Sequence, residues 1–248
     1  MWIALEEETS GTTIPSYEFV EIDLQNKSKE FQELYAKSNP LPGARAKVPL
    51  LQIVTDDDDD DDNENDDGFL LCESLVVTEY LAHEYVNNLL PSKVEDRAIM
   101  KLFSELCGNS FSYIPILRVK DSDDPKAKEE AKLKFVESLV ATNSFLKHYG
   151  TSNNGGPFLF GKQFTLAECN VAPFVQRMCI VLPAMTDDVN PIQICEELQL
   201  THLKEWILAI LQRPSVQSTS VPKEVLINNM NKMLERMNAA ASSMANKN

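Results

Sequence analysis

The chain has 248 residues, 43% of them hydrophobic and 25% charged, which is typical of a globular protein that holds a core without disulfides or metal ions. It carries 23 Lys and Arg against 38 Asp and Glu, a formal net charge of −15 that argues against nucleic acids and anionic membrane surfaces as partners. Ten of the acids lie within residues 56–67, so the rest of the chain carries only −15 + 10 = −5.

The number of cysteines and the lengths of the apolar runs indicate the cellular compartment. There are five cysteines, at positions 72, 107, 169, 179 and 195, an odd number with no CxxC pair, which favours a reducing environment over a disulfide framework. No apolar run approaches the roughly 20 residues of a membrane span, and the first ten residues are too acidic for a targeting peptide. We therefore expect a cytoplasmic protein.

The first third of the chain has a mixed α/β pattern. Alternation of apolar and polar residues predicts a strand over Tyr17–Leu24, and Ser28 is the predicted N-cap of a helix that runs to Ser38. The remaining predicted elements are a short helix at the first residues, strands at 47–54 and 68–71, and a helix over 73–88. The acidic run lies between the last two strands, so it is predicted to lengthen a hairpin connection.

After Pro91 the strand pattern disappears. Helices are predicted at 96–119, 125–149, 165–181, 191–198 and 200–212, and after Pro222. Thr165 and Glu168 have the spacing of a capping box at the start of one of them. We therefore predict an α/β domain over residues 1–90, with an acidic loop insertion at 55–67, and an all-helical domain over 91–248.

Common catalytic and metal-binding motifs are absent from the sequence. It contains no HExxH, GxSxG or GxGxxG pattern and no cluster of His and Cys, so no metal site is predicted. Residues 156–162 have the spacing of a phosphate-binding loop, but Gln163 stands where that loop needs Ser or Thr, and a helix rather than a strand precedes it.

Several longer stretches together resemble the cytosolic glutathione transferases. They are YEFVEIDLQNKSKEF (17–31), NP (39–40) with KVPLL (47–51), LCESLVVTEYLAHEY (71–85), GPFLFGKQFTLAECNVAPFVQR (156–177) and LKEWILAILQRPSV (203–216). The classes that these stretches resemble most are omega, lambda and the dehydroascorbate-reductase-like forms. The resemblance implies a thioredoxin-like N-terminal domain that binds glutathione, followed by an all-α C-terminal domain.

The resemblance also implies a binding site for glutathione as co-substrate. Val48 and Pro49, joined by a cis peptide bond in this fold, would pair with the cysteinyl part of glutathione by strand addition. Ser74 would hold the γ-glutamyl carboxylate at a helix N-terminus, and Glu73 the ammonium group. Lys27 would contact the glycyl carboxylate. The second substrate would be a small electrophile or a disulfide, and a homodimer is a further expectation.

One departure from the family pattern concerns catalysis. Omega-like members carry a cysteine in a Cys-Pro motif after a first strand, where the thiolate is stabilised at a helix N-terminus. Residues 1–8 resemble the middle of the helix that follows, so the first strand and the motif are missing from this chain, and none of its five cysteines replaces them. We predict an incomplete thioredoxin-like domain and no catalytic residue within the chain.

Two origins of this departure stay open. The chain starts at an internal Met of a longer, active protein, or the protein is shortened and has lost catalysis. The first origin predicts an omega-like glutathione transferase or thiol reductase. The second predicts a catalytically inactive module for protein assembly, or a glutathione carrier that lacks a nucleophile.

Overall fold

The computed structural model describes residues 1–7, 16–54, 67–150 and 155–245. The chain divides into two compact units, Met1–Asn87 and Asn88–Asn248. Of the predicted acidic insertion at 55–67, only Asp67 falls within the described residues. No helix in these ranges is both long enough and apolar enough to span a bilayer.

The N-terminal unit is built on a two-stranded hairpin. Its elements in chain order are α1 (Trp2–Leu5), α2 (Lys29–Ser38), β1 (Leu50–Ile53), β2 (Phe69–Cys72) and α3 (Ser74–Glu84). The strands are antiparallel, with Leu50 opposite Cys72 and Ile53 opposite Phe69, as the predicted hairpin requires. Helices α2 and α3 both pack on β2, and α1 packs on α3.

Local sequence signals explain two of these boundaries. Ser28 has extended backbone angles and its hydroxyl accepts a hydrogen bond from the Phe31 amide at 3.2 Å, so it caps α2 as predicted. Gly68 precedes β2 with a φ of +66°, and a Cβ there would lie 2.1 Å from the Ile53 carbonyl oxygen. A side chain at this position would therefore force the hairpin apart.

The strand predicted at Tyr17–Leu24 is wrong. Residues 16–23 have no strand or bridge partner in the described chain, and Tyr17 and Val20 are largely exposed. The Asp23 carboxylate accepts from the Gln25 amide at 2.8 Å and closes the segment with a turn. Alternation of apolar and polar residues indicates that a segment is compatible with a β-strand. The strand forms only where a partner strand provides the ladder of backbone hydrogen bonds.

The C-terminal unit is helical. Its helices are α4 (Val94–Cys107), α5 (Ile114–Val119), α6 (Pro125–Tyr149), α7 (Leu166–Met185), α8 (Pro191–Glu197), α9 (Thr201–Gln212), α10 (Pro214–Ser218) and α11 (Lys223–Ala245). Helix α9 packs on α6, α7, α8 and α10, so it is the central helix of this unit.

The single long helix predicted over 96–119 is instead two helices. Helix α4 ends at Cys107, and Gly108, Asn109 and Ser110 form turns before α5. These three residues have low helix propensity, and Pro115 fits only the first turn of a new helix because it lacks an amide proton.

Trp206 and Glu168 form the centre of the helical unit. The Trp206 ring is fully buried, stacked on Phe111 at 5.4 Å and edge-on to Phe103 at 5.6 Å. Its Nε1–H donates to the Glu168 carboxylate at 3.0 Å, and the Leu159 amide donates to the same oxygen at 2.9 Å. The other carboxylate oxygen accepts from the Thr165 amide at 3.0 Å, which confirms the predicted capping box.

Candidate functional site

The hairpin register brings the two halves of the predicted site together. Leu50 and Cys72 are the last paired residues at one end of the ladder. The strands end there, so Val48 and Pro49, which precede β1, and Glu73 and Ser74, which follow β2, lie at this same end of the hairpin. Residues that are far apart in the sequence therefore lie at the same end of the hairpin.

The backbone at Val48 is available for pairing. The Val48–Pro49 peptide bond is cis, and the Val48 side chain is 47% exposed. Within the described residues, neither the amide nor the carbonyl of Val48 forms a hydrogen bond. A peptide-like ligand can therefore hydrogen-bond here as a strand does.

Helix α3 presents free amides at the same end of the hairpin. Its first intrahelical bond runs from the Val77 amide to the Glu73 carbonyl at 2.9 Å, so the amides of residues 74–76 donate to no described acceptor. Ser74 is exposed at the first helical position. Together with the helix dipole, these donors favour a carboxylate.

Glu73 has an unusual backbone conformation. Its φ is +71° with ψ 117°, outside the region that most non-glycine residues adopt. The residue links β2 directly to α3, so this conformation turns the chain within one residue from strand to helix. Such residues concentrate at sites where local geometry serves binding.

Lys27 fixes the segment that leads to Val48. Its ammonium nitrogen donates to the Ala46 carbonyl at 2.8 Å, and the side chain is half-buried. An ammonium group has three donors, so two stay available to an anionic ligand. The structure therefore places Lys27 beside the chain segment that carries Val48, Pro49 and the hairpin end.

Lys47 is a site residue that the sequence analysis did not identify. Its ammonium nitrogen lies 3.9 Å from the Glu73 carboxylate, and both side chains are more than half exposed. Such a pair contributes little to stability. The signal in the sequence was the lysine directly before Val48-Pro49, but its pairing with Glu73 depends on the hairpin register.

The cysteines of the two units differ in their surroundings. Burial raises the pKa of Cys179 to about 12 and that of Cys195 to about 11, and it also raises the pKa of Cys107. These three lie in the helical unit and stay neutral at pH 7. Cys72 precedes Glu73, but its half-buried Sγ is directed to the Ser38 carbonyl at 3.8 Å. Cys72 is therefore in contact with the end of α2.

Comparisons with known proteins identify relatives over part of the chain. A potato protein called a probable glutathione S-transferase is 31% identical over 117 residues, which cover 46% of this chain and 45% of that protein. Arabidopsis glutathione S-transferase F14 is 33% identical over 115 residues, 41% of this chain and 42% of that protein. The chain thus spans less than half the length of these curated relatives. No family model matches the chain.

Solved structures match nearly the whole fold. The tau-class glutathione S-transferase of mango has a TM-score of 0.63 at 22% identity, covering 94% of this chain and 91% of its own. Glutathione transferase Omega 2C of Trametes versicolor has a TM-score of 0.60 at 22% identity, covering 94% and 92%. The trimeric Leishmania glutathione transferase TDR1 has a TM-score of 0.66 at 20% identity, covering 92% and 44%. These likenesses confirm the predicted fold class, a thioredoxin-like N-terminal part followed by a helical C-terminal part.

Proposed function

We infer that this chain is a member of the cytosolic glutathione transferase family and that it binds glutathione as a co-substrate through the hairpin end of its N-terminal unit. The observation that supports this proposal is the hairpin, whose end carries the unpaired backbone of Val48 before β1 and the free amides of α3 after β2. The proposed ligand-binding residues are Lys27, Val48, Pro49, Glu73 and Ser74.

The chemistry of glutathione matches this arrangement group by group. Its cysteinyl amide and carbonyl would pair with the backbone of Val48, next to Pro49. Its γ-glutamyl carboxylate would accept from the Ser74 hydroxyl and the amides at the start of α3, while Glu73 holds the ammonium. Lys27 would contact the glycyl carboxylate. Each charged group of the ligand thereby meets either a group of opposite charge or a set of hydrogen-bond donors.

Lys47 gives Glu73 a partner in the absence of ligand. The 3.9 Å separation and the exposure of both side chains make this ion pair weak, so the ligand ammonium could replace it at little cost. We propose that Lys47 keeps the Glu73 carboxylate oriented across the hairpin end until glutathione binds.

The reaction that we propose is omega-like thiol transfer. A protein thiolate attacks the glutathione sulfur of a mixed disulfide, which releases the substrate thiolate and leaves glutathione joined to the protein. A second glutathione thiolate then attacks that bond, forming oxidised glutathione and restoring the protein thiolate. Since no cysteine is among the proposed binding residues, this step is proposed for a form of the protein that supplies the thiolate. The second substrate would be a small electrophile or a disulfide.

A specific observation favours an alternative, a catalytically inactive protein-interaction module. Large apolar side chains are exposed across the N-terminal unit, among them Leu41 (70%), Val54 (67%) and Leu75 (56%). Apolar side chains that are exposed to water can contact a partner protein. The two functions differ in one property, since only the first requires transfer of a glutathione sulfur.

Isothermal titration of the protein with glutathione and with S-methylglutathione tests the binding proposal. Both ligands should bind, and Lys27→Ala should weaken binding by about tenfold or more, because hydrogen bonds to charged groups contribute about 1.5–3 kcal/mol. Lys29→Ala is the matched control, since Lys29 is exposed and pairs only with Glu33 within the described chain. Absence of binding by the unaltered protein, or equal effects of the two variants, would contradict the proposed site.

A further inference from the structure

A groove in the helical unit is not part of the proposed glutathione site. Its volume is about 630 Å³, within the range of small-molecule sites. Helix α9 forms one wall, and the end of α6 and residues 155–158 form the rest of the described lining. These residues all belong to the helical unit, whereas the hairpin end belongs to the N-terminal unit. Ligand binding in this groove is therefore a property that can be tested separately.

Two polar side chains of α9 line this groove. His202 and Glu205 are three residues apart, so they lie on the same face of the helix. Neither side chain forms a hydrogen bond or an ion pair with another residue of the described chain. A carboxylate only accepts hydrogen bonds, and a neutral imidazole has one ring nitrogen that accepts. The two side chains can therefore both accept hydrogen bonds from a donor group of a ligand.

The charges around the groove favour a cation over an anion. The described residues that line it include the acid Glu205 and no lysine or arginine. Leu146 and Gly150 lie at the C-terminal end of α6, where the helix dipole places partial negative charge. No group of three His, Cys, Asp or Glu that could hold a metal ion occurs among the described residues. The cation that fits this groove is therefore an organic one.

The rest of the groove suits an apolar body with no second positive charge. Leu208 and Ala209 follow Glu205 by about one turn of α9, and Phe158 lines the groove from the segment before α7. The guanidinium carbon of Arg213 lies 5.9 Å from the centroid of the Phe158 ring. This positive charge disfavours a second cationic group near that ring.

We propose that this groove binds a primary amine with an apolar body. The ammonium group of the ligand donates hydrogen bonds to the Glu205 carboxylate and the His202 ring, and its hydrocarbon chain lies on Leu208 and Phe158. The ion pair selects the charge of the ligand, and burial of the hydrocarbon chain adds affinity. The proposal does not depend on glutathione binding, because the two sites share no residue.

Three probes with the same chain length test the preference for a cation. Hexylamine, hexanol and hexanoate differ only in their end group, which is positive, neutral or negative at pH 7. Each is titrated into the full chain without glutathione, and the NMR shifts of the backbone amides are followed. Hexylamine should shift the amides of residues 202–212 in a saturable manner. Hexanol should bind about fivefold more weakly, the effect of losing an ion pair at an exposed site, and hexanoate more weakly still.

A matched pair of variants tests the proposed contact with Glu205. Glu205→Gln keeps the size of the side chain and removes its charge, so it should weaken hexylamine binding about fivefold and leave hexanol binding unchanged. Glu129→Gln makes the same change at an exposed residue of α6 that does not line the groove, so hexylamine should bind it as it binds the unaltered protein. Three results would overturn the proposal: no saturable shifts at residues 202–212 with hexylamine, binding of hexanol or hexanoate as tight as that of hexylamine, or equal losses in the two variants.

Discussion

The two units differ in where their apolar surface lies. In the helical unit, Trp206, Phe103 and Phe111 are fully buried and in mutual contact. In the N-terminal unit no residue of β1 or β2 is buried, and most of the buried apolar residues, such as Tyr35 and Val77, lie on its helices. The comparison indicates that one unit holds its structure through a closed core, whereas the other leaves backbone edges and helix amides accessible to ligands.

The largest expected effect is on the helical core. Glu168→Ala removes the acceptor of three buried N–H donors, from Leu159, Thr165 and Trp206. We expect the free energy of unfolding to fall by about 3–5 kcal/mol, because each buried donor left unpaired costs about 1–3 kcal/mol. Urea unfolding, monitored by tryptophan fluorescence, measures this free energy.

Glu129→Ala is the control for this prediction, because Glu129 lies exposed on α6. Its effect should stay within about 0.5 kcal/mol. Equal losses in the two variants would show that the Glu168 network does not stabilise the helical unit.

A pair of leucine truncations compares the two units directly. Leu139 in α6 is fully buried, so Leu139→Ala should cost about 3–5 kcal/mol through lost packing and a residual cavity. Leu51 in β1 is only half-buried, so Leu51→Ala should cost about 1 kcal/mol. Urea unfolding of both variants measures the difference. A larger loss for Leu51→Ala would reverse the comparison.

Much of this architecture can be predicted from local sequence. Ser28 and the Thr165–Glu168 pair identify their helix starts because capping involves residues within one turn. The strand at 17–24 could not be predicted correctly, since its alternation carries no information about whether a partner strand is present. The break after Cys107 was missed because the apolar spacing continues through Gly108 and conceals the change of helix.

The residues of the candidate site also divide into those that local sequence identifies and those that it does not. Val48, Pro49, Glu73 and Ser74 belong to short motifs, so a resemblance could identify them. The pairing of Lys47 with Glu73 could not be predicted, because it depends on the register between strands joined through residues 54–68.

A pH series tests the electrostatics of the helical core. Burial raises the pKa of Glu168 above its ordinary value of 4.5, although its four hydrogen bonds oppose this. The folded protein then holds the proton to higher pH than the unfolded chain, so the stability contributed by neutral Glu168 is complete below pH 4.5 and is lost as pH rises through the folded-state pKa. The unfolding free energies of the unaltered protein and Glu168→Gln should therefore converge as pH rises from 4. Divergence would show that the folded-state pKa of Glu168 lies below its unfolded-state value.

A smaller effect is expected on the rates at which the cysteines are alkylated. With pKa values raised to about 12 and about 11, Cys179 and Cys195 should react slowly with iodoacetamide at pH 8, while Cys72 in the N-terminal unit reacts faster. Mass spectrometry of the labelled peptides gives the order of reaction. In urea all five should react alike, and equal rates in the folded protein would contradict the contrast.

Amide hydrogen exchange with and without glutathione tests the central claim most directly, because it reports on each unit separately. We predict that glutathione slows exchange at Val48 and at residues 74–76, whose amides donate to no described acceptor in the free chain. Exchange around Trp206 should stay unchanged. Unchanged exchange at Val48 and residues 74–76 under saturating glutathione, or protection confined to the helical unit, would contradict the account.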